Sequence, residues 1–279
     1  MNAAAGIAIL TCNGLQDGLE ATLRAVASQT LPFRTAIVLD TASTDGSWQL
    51  AAELGFTVIA VAPAEFNHGS TRQRALQLLS ESGCTIAIFL TQDAELASPE
   101  TLERLTEVFT DPTVAAAYAR QLPRKDASYF ERHSRQVNYP AMGAERRESD
   151  RERLGWRTLF CSNTCAAWRV EAAEAAGGFP ETDFGEDMLL ADRLLRAGFA
   201  IAYVPEAEVI HSHPSTLKAL FQRGRAIGKF HHEHPELRNR YGKAEKNALI
   251  LFHSVPFCFS FLFCAFVKYL GYLFGRIFH

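Results

Sequence analysis

Short apolar runs alternate with segments of helical periodicity through the first hundred residues, and this alternation restricts the fold more than any other feature. The predicted strands are Gly6–Thr11, Ala36–Asp40, Thr57–Val61 and Thr85–Leu90. The predicted helices between them are Leu15–Gln29, Trp48–Leu54 and Arg72–Glu81. Strands and helices that take turns in this way form a mostly parallel sheet covered on both faces. The sequence therefore predicts an α/β fold.

The second half of the chain continues the pattern after a charge-rich interruption. Residues 124–157 mix many arginines with acids, which is typical of a solvated loop with helical pieces. Long insertions also act as lids or acceptor loops, and both interpretations stay open. Helices are predicted at 170–176 and 187–197, the first ended by Gly177-Gly178, and a last strand at 200–204.

Composition excludes several classes of protein. The 279 residues are 48% hydrophobic, enough for a sizeable core, and the net charge of −3 argues against a general nucleic-acid binder. The six cysteines form no CxxC pair, so zinc sites and disulfide frameworks are not indicated. The N-terminus lacks the basic region of a signal peptide, and we expect the protein to begin its work in the cytoplasm.

Polar side chains follow the predicted strands at the edge where parallel sheets bind ligands. They are Thr11 and Asn13 after the first strand, Asp40 at the end of the second, and Gln92 and Asp93 after the fourth. Neither GxGxxG nor GxxxxGK[ST] is present to cradle phosphates. A divalent cation, Mg²⁺ or Mn²⁺, can instead join carboxylates to a diphosphate, with Asp93 as ligand. The alternative for Asp93 is a simple turn or helix cap.

Two adjacent acids, Glu186 and Asp187, begin a predicted helix. Acids here often just complement the helix dipole, which explains one of them more easily than two. The functional alternative is a carboxylate that takes the proton of an attacking hydroxyl group. Arg72, near the start of another helix, opposes the dipole there and so indicates an anionic ligand, unless it is an ordinary surface arginine. His211 and His213 are candidate metal ligands or surface histidines.

Five segments together resemble glycosyltransferase family 2, and within it the rhamnosyltransferase branch. They are TCNG at 11–14, VLDTASTDGS at 38–47, EFNHGSTRQRA at 65–75, FLTQDAEL at 89–96 and GEDMLLADRLLRAGFAIAYVPEAEVIHSH at 185–213. The resemblance covers about residues 5 to 230. It implies a GT-A fold at 1–240, with a donor-binding half at about 1–120 and an acceptor-binding half at about 121–240. A hydrophobic helical tail, 241–279, would follow.

The resemblance also implies roles for particular residues. The positions that bind the donor nucleotide in the family are occupied here by Thr11, Asn13, Asp40, Arg72 and Gln92. Asp93 matches the last acid of the metal-binding DxD motif, and Thr91 replaces the first Asp of that motif. Asp187 matches the catalytic base, with Glu186 beside it. His211 or His213 matches a further metal or diphosphate ligand. The segment SNTCAAW, with Ser162, Asn163 and Trp168, matches the sugar or acceptor site.

The activity implied is inverting transfer of a sugar, L-rhamnose from dTDP-β-L-rhamnose, to a lipid-linked or polysaccharide acceptor in bacterial surface-glycan synthesis. Another nucleotide sugar is the alternative donor. A nucleotidyltransferase is disfavoured, because no basic residue follows the first strand before Arg24. A scaffold protein that has lost its catalytic activity is a further alternative, supported only by Thr91 at the position of an expected Asp.

The tail is the most apolar part of the sequence. Residues 247–279 hold eight of the twenty phenylalanines, and Ala248–Val267 carries no formal charge. Three interpretations compete: a hairpin or in-plane helix on the membrane surface, a single span, and a homodimer interface. The expected location is the cytoplasmic face of the bacterial inner membrane.

Overall fold

The computed structural model describes residues 4–211, 216–242 and 259–277. The chain divides into two compact units, which we describe separately. Unit 1 comprises residues 1–122, 139–146 and 161–211, and unit 2 comprises 123–138, 147–160 and 212–279. The predicted boundary near residue 240, and the two halves that meet near residue 120, stay predictions.

Unit 1 is built on one nine-stranded sheet. Its strands are β1 (Ala5–Thr11), β2 (Phe33–Asp40), β3 (Thr57–Ala60), β4 (Ile86–Thr91), β5 (Glu95–Leu96), β6 (Val114–Leu122), β7 (Ala144–Arg146), β8 (Cys165–Arg169) and β9 (Ala200–Ile210). The order is β3-β2-β1-β4-β8-β6-β9-β5, and β7 pairs with β9.

Eleven α-helices lie in the described residues. Those of unit 1 are α1 (Leu19–Ala27), α2 (Ser47–Glu53), α3 (His68–Glu81), α4 (Thr101–Glu107), α7 (Val170–Ala175) and α8 (Glu186–Arg196). Those of unit 2 are α5 (Tyr129–Asn138), α6 (Arg151–Leu154), α9 (Leu217–Glu233), α10 (Pro235–Tyr241) and α11 (Phe259–Ile277). The helical pieces predicted in the charge-rich stretch are thus present as α5 and α6.

The first four predicted strands pair in parallel, as expected. β1 lies between β2 and β4, in parallel register with both, and β2 pairs in parallel with β3. All seven residues of β1 are buried, which is why this strand appears in the sequence as an unbroken apolar run. Beyond β4 the sheet is mixed, because β8 runs antiparallel to both β4 and β6. The α/β class is confirmed, and its parallel part is the part that carries the strand–helix alternation.

Several boundaries differ from the predicted ones. Asn67 caps α3 by accepting from the backbone N–H groups of Gly69 and Ser70, so the helix begins at His68 and not at the predicted Arg72. The final strand runs on from Val204 to Ile210. His211 therefore follows directly on the end of a strand. β6 and α4 were not predicted.

The apolar tail is only partly described. Of the stretch Ala248–Val267, residues 248–258 lie outside the described residues, and the rest belongs to α11. Among the helices of the described ranges, none combines the length and the apolar character needed to cross a membrane.

Candidate active site

The loops after β1 and β2 are tied together by side-chain hydrogen bonds. The backbone N–H of Asn13 donates to Ser43 Oγ (2.8 Å), and Asn13 Oδ1 accepts from the backbone N–H of Thr44 (2.8 Å). Asn13 has a φ of 48°, a left-handed conformation that asparagine tolerates better than most residues. Its role in this region is thus to shape the loop as well as to offer a polar group.

Asp40 ends β2 in a buried position. Its Oδ1 accepts from the backbone N–H of Ser43 (3.0 Å), while Oδ2 is buried without a hydrogen-bond partner in the described part of the chain. A buried carboxylate oxygen without a donor is costly, so this atom is suited to receive an N–H or O–H group of a ligand.

Gln92 is occupied by the loop that follows β1. Its Oε1 accepts from Thr11 Oγ1 and from the backbone N–H of Cys12, both at 2.9 Å, and its Nε2 donates to Asp17 at 2.8 Å. A Cβ on Gly14 would lie 2.9 Å from Gln92 Oε1, which explains a glycine there. Gln92 and Thr11 thus hold the edge of the sheet in shape.

Asp93 and His211 meet at the ends of β4 and β9. Asp93 Oδ2 lies 3.2 Å from His211 Nε2, and both side chains are buried. On its other side, His211 Nδ1 lies 3.0 Å from Oε1 of Gln121, the penultimate residue of β6. An amide oxygen only accepts, so Nδ1 carries a hydrogen; Nε2 donates to Asp93 when the ring is protonated and faces it with an electron pair when the ring is neutral. His213 lies outside the described residues.

Glu186 and Asp187 begin α8 in different surroundings. Glu186 is buried; its Oε1 lies 2.9 Å from Arg72 Nη1 and accepts from Asn163 Nδ2 at 3.1 Å. Asp187 is half-buried and accepts from the backbone N–H of Met188 (2.8 Å) and, at 3.4 Å, from that of Asn163. One acid is therefore held by an ion pair, while the hydrogen bonds of the other come from backbone N–H groups.

These surroundings change the proton affinity of Asp187. Burial and the adjacent Glu186 carboxylate raise the pKa of Asp187 to about 7, and the Arg72 guanidinium counteracts part of this rise. A carboxyl group with a pKa near neutrality is suited to proton transfer, because it accepts a proton readily and exists partly as the carboxylate.

The predicted segment with Ser162, Asn163 and Trp168 forms hydrogen bonds that lead to Glu186 and Asp187. Trp168 is fully buried on β8 and its indole N–H donates to Asn163 Oδ1 at 2.9 Å. This bond fixes the amide of Asn163, whose nitrogen donates to Glu186. Ser162 accepts from Gln121 Nε2 at 3.0 Å. All three side chains therefore position others.

A continuous chain of contacts joins the two acidic parts of the site. It runs from Asp93 to His211, on to Gln121 and then Ser162, whose chain neighbour Asn163 bonds Glu186 and Asp187. The structure thus brings Asp93, His211, Glu186 and Asp187 into one connected network of unit 1.

Comparison with known proteins decides the family. The family described as "Glycosyltransferase like family 2" matches residues 6–227, more than half of the chain. The chain belongs to this family. The glycosyltransferase is 38% identical to the O-antigen chain rhamnosyltransferase WbaN of Salmonella anatum, over 86% of this chain and 79% of that protein. It is 36% identical to RfbN of Salmonella typhimurium, also an O-antigen chain rhamnosyltransferase, over 91% of this chain and 84% of that one. The resemblance to the rhamnosyltransferase branch is confirmed.

Solved structures agree on the fold. The mannosyltransferase PcManGT from Pyrobaculum calidifontis, in complex with GDP-Man and Mn²⁺, matches with a TM-score of 0.65 at 18% identity, covering 99% of this chain and 86% of that one. Glucosyl-3-phosphoglycerate synthase of Mycobacterium tuberculosis matches with a TM-score of 0.58 at 19% identity, covering 86% and 81%. The expected GT-A fold of the glycosyltransferase is confirmed.

The side chains at the strand ends of the glycosyltransferase fit a divalent cation whose other ligands come from a substrate. The described residues contain no cluster of three or more His, Cys, Asp and Glu side chains that could hold a metal ion alone. Mg²⁺ at nucleotide sites commonly takes one or two protein ligands and completes its shell with water and phosphate oxygens. Asp93 and His211 place one carboxylate and one imidazole side by side, with Asp93 Oδ2 and His211 Nε2 3.2 Å apart, and a substrate phosphate would have to supply further ligands.

Two features of this glycosyltransferase site were not predicted. Gln121 orients His211, and it would have been found by the same strand-end reasoning had β6 been recognised. Arg72 was predicted to meet an anion, and the anion that it contacts is the Glu186 carboxylate. Direct contact of Arg72 with a nucleotide stays a prediction.

Proposed function

We propose that the protein is an inverting rhamnosyltransferase that moves L-rhamnose from dTDP-β-L-rhamnose to a lipid-linked or polysaccharide acceptor in bacterial surface-glycan synthesis. The observation that carries the proposal is the contact chain that joins the Asp93–His211 pair to the carboxylate of Asp187. The two relatives named as O-antigen chain rhamnosyltransferases support the choice of sugar and of pathway class.

The donor nucleotide would bind at the carboxyl edge of β1 and β2. Asp40 is the main candidate for recognising the base, because its buried Oδ2 needs a donor and thymine offers a ring N–H. Thr11 and Asn13 shape the loop beside it, and Gln92 holds Thr11. Arg72, which Glu186 holds by an ion pair, stays a candidate for contact with the nucleotide.

Transfer requires one proton movement and one exchange of bonds at the anomeric carbon. The acceptor oxygen attacks this carbon from the face opposite the diphosphate, and Asp187 removes the hydroxyl proton as the new C–O bond forms. The bond from the anomeric carbon to the diphosphate breaks, and dTDP leaves with the electron pair. Attack from the opposite face inverts the configuration at the anomeric carbon.

Asp93 and His211 would hold the divalent cation, Mg²⁺ or Mn²⁺. When bound, the cation neutralises charge that develops on the departing diphosphate. Gln121 contributes by fixing the His211 ring, since a second hydrogen bond sets the tautomer that is able to bind metal.

A lipid-linked acceptor would bring the enzyme to the cytoplasmic face of the bacterial inner membrane, where nucleotide sugars are available. The C-terminal tail is the proposed contact with the membrane surface. A homodimer interface formed by the tail is the alternative that the sequence leaves open.

The test is nucleotide release by the purified full chain, with a panel of nucleotide sugars and a lipid-linked acceptor, with and without Mg²⁺ or Mn²⁺. Asp187→Asn and Asp93→Asn are compared with wild type, and Glu171→Gln, an exposed acid on α7, is the matched control. We expect preference for dTDP-rhamnose, dependence on metal, and loss of turnover by about 10²-fold or more in both site variants but not in the control.

The possible outcomes separate the parts of the proposal. Preference for another nucleotide sugar would refute the rhamnose assignment and leave the mechanism intact. Full turnover by Asp187→Asn would refute the assigned base. Absence of nucleotide binding by wild type would refute the enzymatic proposal in favour of a scaffold.

A further inference from the structure

Helices α9 and α11 of unit 2 are in backbone contact. Four buried glycines lie between them: Gly224 and Gly228 on α9, and Gly271 and Gly275 on α11. A Cβ atom on Gly228 would lie 2.0 Å from the Tyr272 carbonyl oxygen, and one on Gly275 would lie 2.0 Å from that of Arg225. The contacts advance in the same direction along both helices, so the two helices are parallel. Each of the four glycines is required because any larger side chain would clash with the backbone of the other helix.

The large apolar side chains of α11 lie away from this contact. Five of them recur at helical spacing and are 41% to 62% exposed: Phe263, Phe266, Leu270, Phe274 and Ile277. Tyr269, 56% exposed, lies beside them. We call these six side chains the apolar stripe. Side chains spaced by three and four residues share one face of a helix, so the stripe is continuous.

This arrangement is the reverse of the one that water favours. In water, paired helices gain most from burying large apolar side chains, about 1.5 to 3 kcal/mol for each Leu, Ile or Phe. Here the pair buries glycines and exposes aromatic rings. In a bilayer, burying apolar side chains between helices gains little, and helices instead approach through facing small residues. The pair is therefore built for contact with an apolar medium on its outer face.

The charges of the two helices select the kind of medium. Exposed basic side chains on the two helices are Lys218, Arg223, Arg225, Lys229 and Arg276, and the acid of the pair, Glu233, lies 3.5 Å from Lys229. The Arg225 guanidinium lies 5.7 Å from the centre of the Phe274 ring, at the border of the stripe. A pair of helices with a net positive charge and with Arg225 at the border of its exposed rings matches an anionic membrane surface, where cations meet headgroups and rings enter the acyl boundary.

We propose that the α9–α11 pair is a membrane-docking element that lies in the plane of an anionic bilayer with its apolar stripe inserted. The proposal deepens the proposed function, on which its biological meaning rests, and it assigns the contact to a composite surface of α9 and α11 in place of the tail alone.

The test is co-sedimentation of the full chain with vesicles of phosphatidylethanolamine and phosphatidylglycerol, compared with vesicles of phosphatidylcholine alone. The double variant Phe266→Ser, Phe274→Ser removes apolar contact, and Arg223→Gln, Arg225→Gln removes charge. Trp48→Ser is the matched control, because Trp48 is a ring of unit 1 that is 45% exposed. Release of nucleotide with a water-soluble acceptor is measured in parallel.

Wild type and the control should bind anionic vesicles far better than neutral ones. The phenylalanine variant should bind about tenfold or more weakly, and the arginine variant about fivefold more weakly for each charge removed. Release of nucleotide with the water-soluble acceptor should be unchanged in both variants. If wild type itself releases no nucleotide in this assay, that result counts against the proposed function and not against the docking proposal. Equal vesicle binding by all variants would overturn the docking proposal. So would a dimer that wild type forms without vesicles and that the phenylalanine variant fails to form.

Discussion

Replacing Asp187 by Asn is expected to abolish turnover and at the same time to stabilise the folded protein at neutral pH. Burial and Glu186 raise the pKa of Asp187 from 3.8 to about 7 in the folded state. The folded protein therefore holds this proton more tightly than the unfolded chain does. The resulting stability is complete below pH 3.8 and is lost as the pH rises through 7. Asparagine keeps the shape of the side chain and removes the charge that folding must bury.

The size of the effect follows from the shift. Each pKa unit corresponds to about 1.4 kcal/mol, so a shift of about three units is worth at most about 4 kcal/mol, and less because the carboxylate is still partly solvated. Between pH 5 and pH 7 about two of these units are lost, which is about 2 to 3 kcal/mol. The gain in unfolding free energy from Asp187→Asn should therefore be larger at pH 8 than at pH 5 by up to that amount.

Urea unfolding of wild type and Asp187→Asn at both pH values measures this difference directly. Titration of the groups that do not interact with Asp187 is common to the two proteins and cancels when they are subtracted. Glu171→Gln, which removes an exposed acid, should change the unfolding free energy little at either pH. A gain from Asp187→Asn that is equal at pH 5 and pH 8, or a loss at pH 8, would refute the raised proton affinity.

Two further predictions concern groups that hold the site. Arg72 lowers and Glu186 raises the pKa of Asp187. Arg72→Gln should therefore raise the pH of half-maximal turnover by about one unit or more, and Glu186→Gln should lower it by about as much. If the pH profiles of nucleotide release move in the same direction in both variants, this explanation is wrong. Gly69→Ala should destabilise the fold by about 1 to 3 kcal/mol in urea unfolding, because its Cβ would lie 1.7 Å from the Pro180 carbonyl oxygen. An unchanged unfolding midpoint would show that this contact relaxes freely.

The sequence predicted the parallel part of the sheet because that part obeys local rules. β1 and β4 are buried on both faces, so their apolar runs are uninterrupted and short enough to be distinguished from helices. Their carboxyl ends lie at one edge of the sheet, which made Asp93 and Asp40 candidates from position alone. Those features depend on chain neighbours, and the sequence displays them directly.

β6 escaped prediction for a physical reason. Its sequence, VAAAYARQL, is rich in alanine, which favours helices in isolation, and it shows no strict alternation of apolar and polar residues. The strand forms because β8 and β9 pair with it from both sides. Only this tertiary pairing places Gln121 beside His211, so the residue that orients the histidine carried no local signal.

The charge pattern around Arg72 was informative although its partner was not foreseen. A basic residue near the start of a helix opposes the dipole and therefore indicates a nearby anion. The structure supplies that anion within the protein, from the first residue of α8. Sequence distance hides such a pair, because nothing local relates two helix starts that lie far apart in the chain.

The same pairing explains how two adjacent acids acquire different roles. Successive residues of a helix point in directions about 100° apart, so Glu186 and Asp187 cannot face the same surroundings. Arg72 and Asn163 take up Glu186 and hold it in the interior. The carboxyl group of Asp187 is left without that ion pair, and its burial together with the neighbouring Glu186 carboxylate raises its pKa. A single acid at this helix start would lack the neighbouring charge, so the pair as a unit, and not either residue alone, gives the proposed base a pKa near neutrality.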